Sequence, residues 1–260
     1  MENNYSYSGS GVQTAQVTLM KSLYLWMSVA LAVTGITAMA VDASYQLQQL
    51  LFSGKYTFLV LVVAELALVI YLSARIARMS FASAMVSFLA YSFLNGLTLS
   101  VVFLAYTKSS IASTFFVTAG TFAAMSLYGY FTKKDLSSWG NLFFMALIGL
   151  IIATIVNVFW ANTTLYWITT YAGVLIFVGL TAYDTNRIKQ MLANQEVNEG
   201  TQKLALLGAL TLYLDFIARL ILRIICTFNH FITFIFGNII LRSIYGYNIF
   251  FSIPIYTEIK

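Results

Sequence analysis

Seven long apolar runs constrain the fold of this chain more than any other feature of its sequence. Each run is close to the roughly 20 mostly apolar residues that a helix needs to cross the hydrocarbon core of a bilayer. None of them alternates with period two, so transmembrane barrel strands are not expected. We therefore predict seven membrane-spanning helices, at Leu23–Val41, Thr57–Ser73, Ala84–Tyr106, Ile111–Phe131, Leu142–Trp160, Thr164–Tyr183 and Leu204–Ile225.

The overall composition supports an all-α polytopic membrane protein. The chain is 60% hydrophobic and only 9% charged, whereas soluble domains carry about 25% charged residues. This excludes a soluble enzyme, and the high hydrophobicity excludes a disordered chain. One Cys and one His are too few for a disulfide framework or a His-cluster metal site.

The basic residues lie in the short connections, where they encode membrane orientation. If the spans alternate, most of them fall on one side, and only Lys55 and Lys108 fall on the other. The positive-inside bias predicts a cytoplasmic N-terminus, and the same residues explain the net charge of +5 without nucleic acid as a partner. The residues on the predicted cytoplasmic side are Lys21, Arg75, Arg78, Lys133, Lys134, Arg187, Lys189 and Lys203.

Three parts are predicted along the chain. Residues 1–20 form a flexible cytoplasmic arm rich in small and polar residues, residues 21–225 form the seven-helix domain, and residues 226–260 form an apolar tail. Within the tail, Phe231–Leu241 is short for a span. It is a tilted or re-entrant eighth segment or a segment in the interface, and the sequence does not choose between them.

Ionisable side chains inside the spans are the candidates for function, because a charge at bilayer depth costs about 2.5–3.5 kcal/mol on insertion scales. Glu65 and Asp215 lie within their runs, and Asp184 closes the sixth. Glu65 either lines an ion pathway or is a neutral acid bonded to a neighbouring helix. Asp184 either has a functional role, or it is an interfacial acid at a helix end or a cap for the turn that follows. The depth of Asp215 favours a functional role.

Arg219 follows Asp215 by four residues, so the two share a helix face and can form an ion pair. Arg219 and Arg223 either extend outward and partly neutralise Asp215, or Arg219 competes with Asp184 for Asp215 in a switchable ion pair.

A pair of carboxyl groups in a dry bundle can sense protons. Two neighbouring acids cannot both ionise cheaply, so one of them holds a proton. Ca²⁺ could replace that proton, but two carboxylates are far short of the 6–8 oxygens of a tight Ca²⁺ site. Weak, transient Ca²⁺ binding and passage are expected, without a resident cofactor.

Other features point to packing. Gly120 and Ala124 have the spacing of a close helix contact, and Cys226 and His230 are interpreted as ordinary packing or interface residues of the tail. The sequence has no phosphate-binding loop, dinucleotide fingerprint, zinc-protease motif or nucleophile elbow. We therefore expect no enzymatic activity.

Three stretches together carry a family resemblance: NGLTLSVVFLAYTKSSIASTFFVTAGTFAAMSLYGYFTKKDLSSWG (Asn95–Gly140), VGLTAYDTNRIK (Val178–Lys189) and LGALTLYLDFI (Leu207–Ile217). With these the chain resembles the Bax inhibitor-1 (transmembrane Bax inhibitor motif) family in its bacterial form, from about Lys21 to Ile217.

The resemblance implies seven membrane helices with the seventh in the middle of the other six, in the bacterial inner membrane. It also implies a pH-sensitive Ca²⁺ leak with a proton-sensing pair of aspartates, which Asp184 and Asp215 match. After Ile217 the chain departs from the family pattern, with ARLILRIICTFNHF and a further apolar tail. The tail is a genuine extension or the product of a disrupted reading frame.

These observations predict a cation leak, for Ca²⁺ above all, gated by Asp184 and Asp215, with Glu65 and Arg219 as further pathway or ion-pair residues. The partners expected are the lipid bilayer, Ca²⁺ and protons. The alternative is a regulatory protein that binds another membrane protein, such as a quality-control protease. A substrate transporter is disfavoured because the sequence shows no internal repeat.

Overall fold

The computed structural model describes residues 5–52, 56–132, 134, 136–160 and 162–221. Seven of the helices in these ranges are long and apolar enough to cross a membrane, which confirms the predicted fold class. These candidate spans are Thr14–Ala43, Thr57–Arg78, Phe81–Leu104, Lys108–Phe131, Trp139–Asn157, Trp167–Met191 and Glu199–Ile221.

Two short helices accompany the long ones, and a 3₁₀ turn at Ile76–Arg78 forms the end of the second span. The helices of the described ranges are α1 (Tyr5–Ala43), α2 (Tyr45–Phe52), α3 (Thr57–Arg75), α4 (Phe81–Leu99), α5 (Val101–Ala105), α6 (Lys108–Phe131), α7 (Ser137–Trp160), α8 (Thr163–Met191) and α9 (Glu199–Ile221).

Hydroxyl and amide side chains cap the helix starts, where backbone N–H groups lack intrahelical acceptors. The Ser80 side chain accepts from the Ser83 N–H at the start of α4, and Thr107 accepts from Ser110 at the start of α6. Before α9 the arrangement is reciprocal: the Asn198 N–H donates to Thr201 Oγ1 and the Thr201 N–H donates to Asn198 Oδ1, both at 2.9 Å. These caps fix where the spans begin.

Two helices extend further than the hydropathy predicts. α1 begins at Tyr5 and so includes most of the residues whose composition predicts a flexible arm. Once the apolar span has formed a helix, adding further residues to its end is easier than starting a new helix. α8 continues to Met191, well beyond Asp184. The prediction that Asp184 ends a helix or caps the following turn is therefore wrong.

Contacts divide the chain into two compact units: unit 1, Met1–Ala105 with Asp184–Leu214, and unit 2, Tyr106–Tyr183 with Asp215–Lys260. In unit 1, α1 packs closely on α4. A Cβ at Gly96 would overlap the side chain of Thr37 and the backbone oxygen of Thr34. Only glycine allows this approach, which brings polar groups of the two helices within hydrogen-bond reach.

In unit 2 the close contact on α6 is made at Gly129, where a Cβ would overlap the backbone of Ala182 on α8. At Gly120 a Cβ would meet no atom within 4 Å, and Ala124 is exposed. The prediction of close packing at Gly120 and Ala124 is therefore wrong. Small-residue spacing identifies a helix suited to close approach, but the face that is used depends on the tertiary fold.

Burial differs strongly among the spans. In the most apolar 18-residue stretch of α9, 61% is buried inside the protein, whereas the corresponding share is 6% for the span that contains α3. Exposed leucine, isoleucine and valine side chains cover α3 and α7, as expected for surfaces that face lipid. Arg223, Cys226, His230 and the remainder of the predicted tail lie outside the described residues.

Candidate functional site

A buried hydroxyl cluster, formed by Thr34, Ser92 and Tyr213, joins α1, α4 and α9 in unit 1. Thr34 Oγ1 lies 2.9 Å from the Ser92 backbone oxygen, 3.0 Å from that of Ala30 and 2.7 Å from the Tyr213 hydroxyl. Since the two carbonyls can only accept, they share the single hydrogen of the Thr34 hydroxyl, and the Tyr213 hydroxyl donates to Thr34. The Ser92 hydroxyl donates to the Phe88 oxygen at 2.9 Å.

Aromatic rings enclose the hydroxyl cluster. The edges of Phe88 and Tyr91 pack against Tyr213 at centroid distances of 5.6 and 5.9 Å, an arrangement that aromatic pairs favour. Tyr213 has no exposed surface at all. Its hydroxyl is therefore held in a dry, rigid environment two residues before Asp215.

Glu65 on α3 lies beside this cluster and is half-buried. The Thr98 hydroxyl of α4 donates to Glu65 Oε2 at 3.0 Å, and Tyr91 is near enough to interact with the Glu65 carboxyl electrostatically. In the structure Glu65 thus has a hydrogen-bond partner on a neighbouring helix, as one of its two interpretations expects. Its role in an ion pathway stays a prediction.

The polar face of α4 was missed by reasoning on ionisable residues alone. Asn95 is only 1% exposed, and its Nδ2 has no hydrogen-bond partner among the described residues. Ser92, Asn95 and Thr98 recur every three residues along α4, which places them on one side of the helix. This spacing is the signal that could have identified them.

The two aspartates lie on different units. Asp184 is 9% exposed and begins the part of α8 that belongs to unit 1, whereas Asp215 is half-buried and begins the part of α9 that belongs to unit 2. Each takes part in polar or electrostatic interactions. Their pairing with one another stays a prediction of the family resemblance.

Arg219 forms the guanidinium cluster of unit 2 with Phe177 and Thr181 of α8. Its Nη2 donates to the Phe177 backbone oxygen and, at 2.6 Å, to Thr181 Oγ1. Arg219 is only 8% exposed, so the interpretation that it extends outward is wrong. Asp215, one turn earlier, is close enough to interact with it electrostatically.

Within the described parts of the chain, no group of three or more His, Cys, Asp or Glu side chains could hold a metal ion. A weak, transient Ca²⁺ site on Asp184 and Asp215 involves a smaller set of ligands and stays a prediction.

Comparison with known proteins places the sequence among membrane proteins. It matches the family described as "Inhibitor of apoptosis-promoting Bax1" over residues 16–233. It is 50% identical to the inner membrane protein YbhL of Escherichia coli K12 over 202 residues, 77% of this chain and 86% of YbhL. Identity is 38% over 211 residues to an uncharacterized protein of Borreliella burgdorferi, covering 79% and 91% of the two chains. It is 35% over 215 residues to the uncharacterized protein YrjE of Lactococcus lactis, covering 82% and 83%.

Proposed function

The chain belongs to the Bax inhibitor-1 family and is an integral inner-membrane protein, as YbhL is, and on that premise we propose that it is a pH-sensitive cation leak with Ca²⁺ as the permeant ion. The proposal includes a cytoplasmic N-terminus and the absence of enzymatic activity.

One observation carries the proposal: a carboxyl group is buried inside a membrane-spanning helix. Asp184 lies seven residues before the end of α8 and is 9% exposed. An acid in this position costs free energy that an apolar side chain would not, so a role with ions or protons explains it better than packing does. Asp215, which is half-buried, also lies within a candidate span, α9, which has the largest buried share of the seven.

In the proposed closed state Asp184 and Asp215 share one proton. Loss of that proton leaves two like charges, and their repulsion favours an open arrangement. Protonation favours the closed arrangement, so the Ca²⁺ flux rises as the pH rises through the titration of the pair. Two carboxylates bind Ca²⁺ weakly, which suits passage of the ion better than its storage.

The test is Ca²⁺ entry into liposomes that contain the purified protein and a trapped indicator, measured from about pH 5 to pH 8. The wild type is compared with the Asp184→Asn/Asp215→Asn variant. We expect flux that increases with pH in the wild type and flux without pH dependence in the variant. The same pH dependence in both proteins would contradict the proposal.

A second candidate function is regulation of another membrane protein, such as a quality-control protease. The observation that favours it is the buried Arg219 guanidinium beside Asp215, because a fixed positive charge opposes cation passage. This candidate predicts a stoichiometric partner that co-purifies with the chain and no flux through the pure, folded protein at any pH.

A further inference from the structure

We infer that Arg219 is a tethered cation, whose guanidinium lies beside Asp215 and holds back permeating cations there. The inference rests on the proposed leak and adds to it a residue that sets the size of the flux. It concerns Arg219, Phe177, Thr181 and Asp215, all of which belong to unit 2.

The position of Arg219 on α9 directs its charge towards Asp215. The two residues are four apart, which corresponds to about 6 Å along a helix axis. Side chains on a helix point back towards its N-terminus, so the guanidinium leans over the turn that carries Asp215. Their electrostatic interaction agrees with this placement.

Hydrogen bonds to α8 hold the guanidinium in place. Thr181 Oγ1 donates to the Phe177 oxygen at 2.9 Å, so its lone pairs are available to accept from Arg219 Nη2 at 2.6 Å. Thr181 has no exposed surface. Phe216, between Asp215 and Arg219 in sequence, packs edge-on against Phe115 and Phe122 of α6, with centroids 5.5 and 5.7 Å away. The charge is therefore fixed in the protein and does not move freely as it would on a solvated side chain.

The charge of Arg219 is only partly compensated. A guanidinium has five N–H donors, and neither Nε nor Nη1 has a hydrogen-bond partner among the described residues, although both atoms are buried. A charge that few dipoles surround and water does not reach acts over a longer range than a hydrated charge. An ion that approaches Asp215 meets this repulsion, which is twice as large for Ca²⁺ as for a monovalent cation.

The experiment measures Ca²⁺ entry into liposomes at a fixed alkaline pH, where the proposed leak is open. Arg219→Met removes the charge and keeps a long, flexible side chain, whereas Arg219→Lys keeps the charge. Arg75→Met is the matched control, since Arg75 is exposed at the end of α3 and stacks on Tyr71 at 5.7 Å. Every variant is first shown to be monodisperse and to unfold cooperatively. Arg219→Gln replaces Arg219→Met if the latter does not purify in that state.

We expect the neutral variant to raise the Ca²⁺ flux at least about tenfold, because the barrier loses a charge–charge repulsion in a medium of low dielectric constant. Arg219→Lys and Arg75→Met should stay near the wild-type flux. Equal flux in the wild type and the neutral variant would overturn the inference and leave the proposed leak intact. An equal rise in Arg219→Met and Arg219→Lys would assign the effect to shape and overturn it as well. No flux from any folded variant would overturn both the inference and the leak.

Discussion

The hydroxyl cluster of unit 1 and the guanidinium cluster of unit 2 are both buried, but their polar atoms are satisfied to different degrees. The hydroxyls of Thr34, Ser92 and Tyr213 each have a hydrogen-bond partner within 3.0 Å. Arg219 instead has two nitrogens with no partner among the described residues. The hydroxyl cluster is neutral, and each of its hydroxyls has a hydrogen-bond partner. The guanidinium cluster is charged, and two of its nitrogens have no partner among the described residues.

Under the proposed function, the hydroxyl cluster has a structural role and the guanidinium cluster acts on ions. Neutral hydrogen bonds between membrane helices give a modest net stabilisation, so the hydroxyl cluster explains how α1, α4 and α9 are held in register. A buried cation with unsatisfied donors stabilises little and often costs free energy. Its presence in α9 is explained better by an effect on ions than by an effect on folding.

The largest expected effect on stability comes from neutralising the charges at the guanidinium cluster. Arg219→Met combined with Asp215→Asn removes both charges, and we expect the free energy of unfolding to rise by about 1–4 kcal/mol, because charged side chains inside a protein carry a desolvation cost that uncharged ones do not. Denaturant-induced unfolding in mixed micelles measures it, with Arg75→Met as the control. A double variant less stable than the wild type would show that the charged cluster is structural after all.

Gly96→Ala should disrupt the hydroxyl cluster by separating the backbones of α1 and α4. The added methyl group overlaps Thr34 and Thr37 and pushes α4 away from α1, so we expect a loss of about 1–3 kcal/mol, typical of overpacking. Gly120→Ala adds the same methyl group in open space on α6 and should leave stability unchanged or slightly higher. If both variants lose the same stability, the close α1–α4 contact is not what holds this cluster together.

Tyr213→Phe tests the neutral cluster without altering its shape. The variant loses the hydrogen bond to Thr34 but keeps the ring packed against Phe88 and Tyr91, so the free energy of unfolding should fall by about 1 kcal/mol. Tyr171→Phe is the control, since Tyr171 is 64% exposed. A more stable Tyr213→Phe protein would mean that the neutral cluster, like the charged one, costs free energy.

The smallest effect on stability is expected at the hydrogen bond between Thr98 and Glu65, beside the hydroxyl cluster. Thr98→Val removes the donor to Glu65 and should cost about 0.6 kcal/mol, the average for hydrogen bonds between membrane helices. The same substitution in a Glu65→Leu background should have a smaller effect, because the acceptor is already gone. Equal costs in both backgrounds would show that the Thr98–Glu65 bond contributes nothing.

The spans could be predicted from the sequence because hydropathy is a local property. Partners distant along the chain could not be predicted in this way: Thr34 and Tyr213 are 179 residues apart, and no local pattern pairs them. For the same reason the sequence indicates that α6 is suited to close packing but selects Gly120, whereas the fold uses Gly129. The spacing of four predicts that Arg219 lies near Asp215, but the burial of Arg219 and its bonds to α8 depend on tertiary structure.

Acids inside the spans are proposed to control a cation flux. The most direct measurement is the pH dependence of Ca²⁺ entry into liposomes containing the Arg219→Met protein, compared with the Arg219→Met/Asp215→Asn protein. We predict a flux that rises with pH in the first protein and a small flux independent of pH in the second. Identical pH profiles for the two proteins would contradict it.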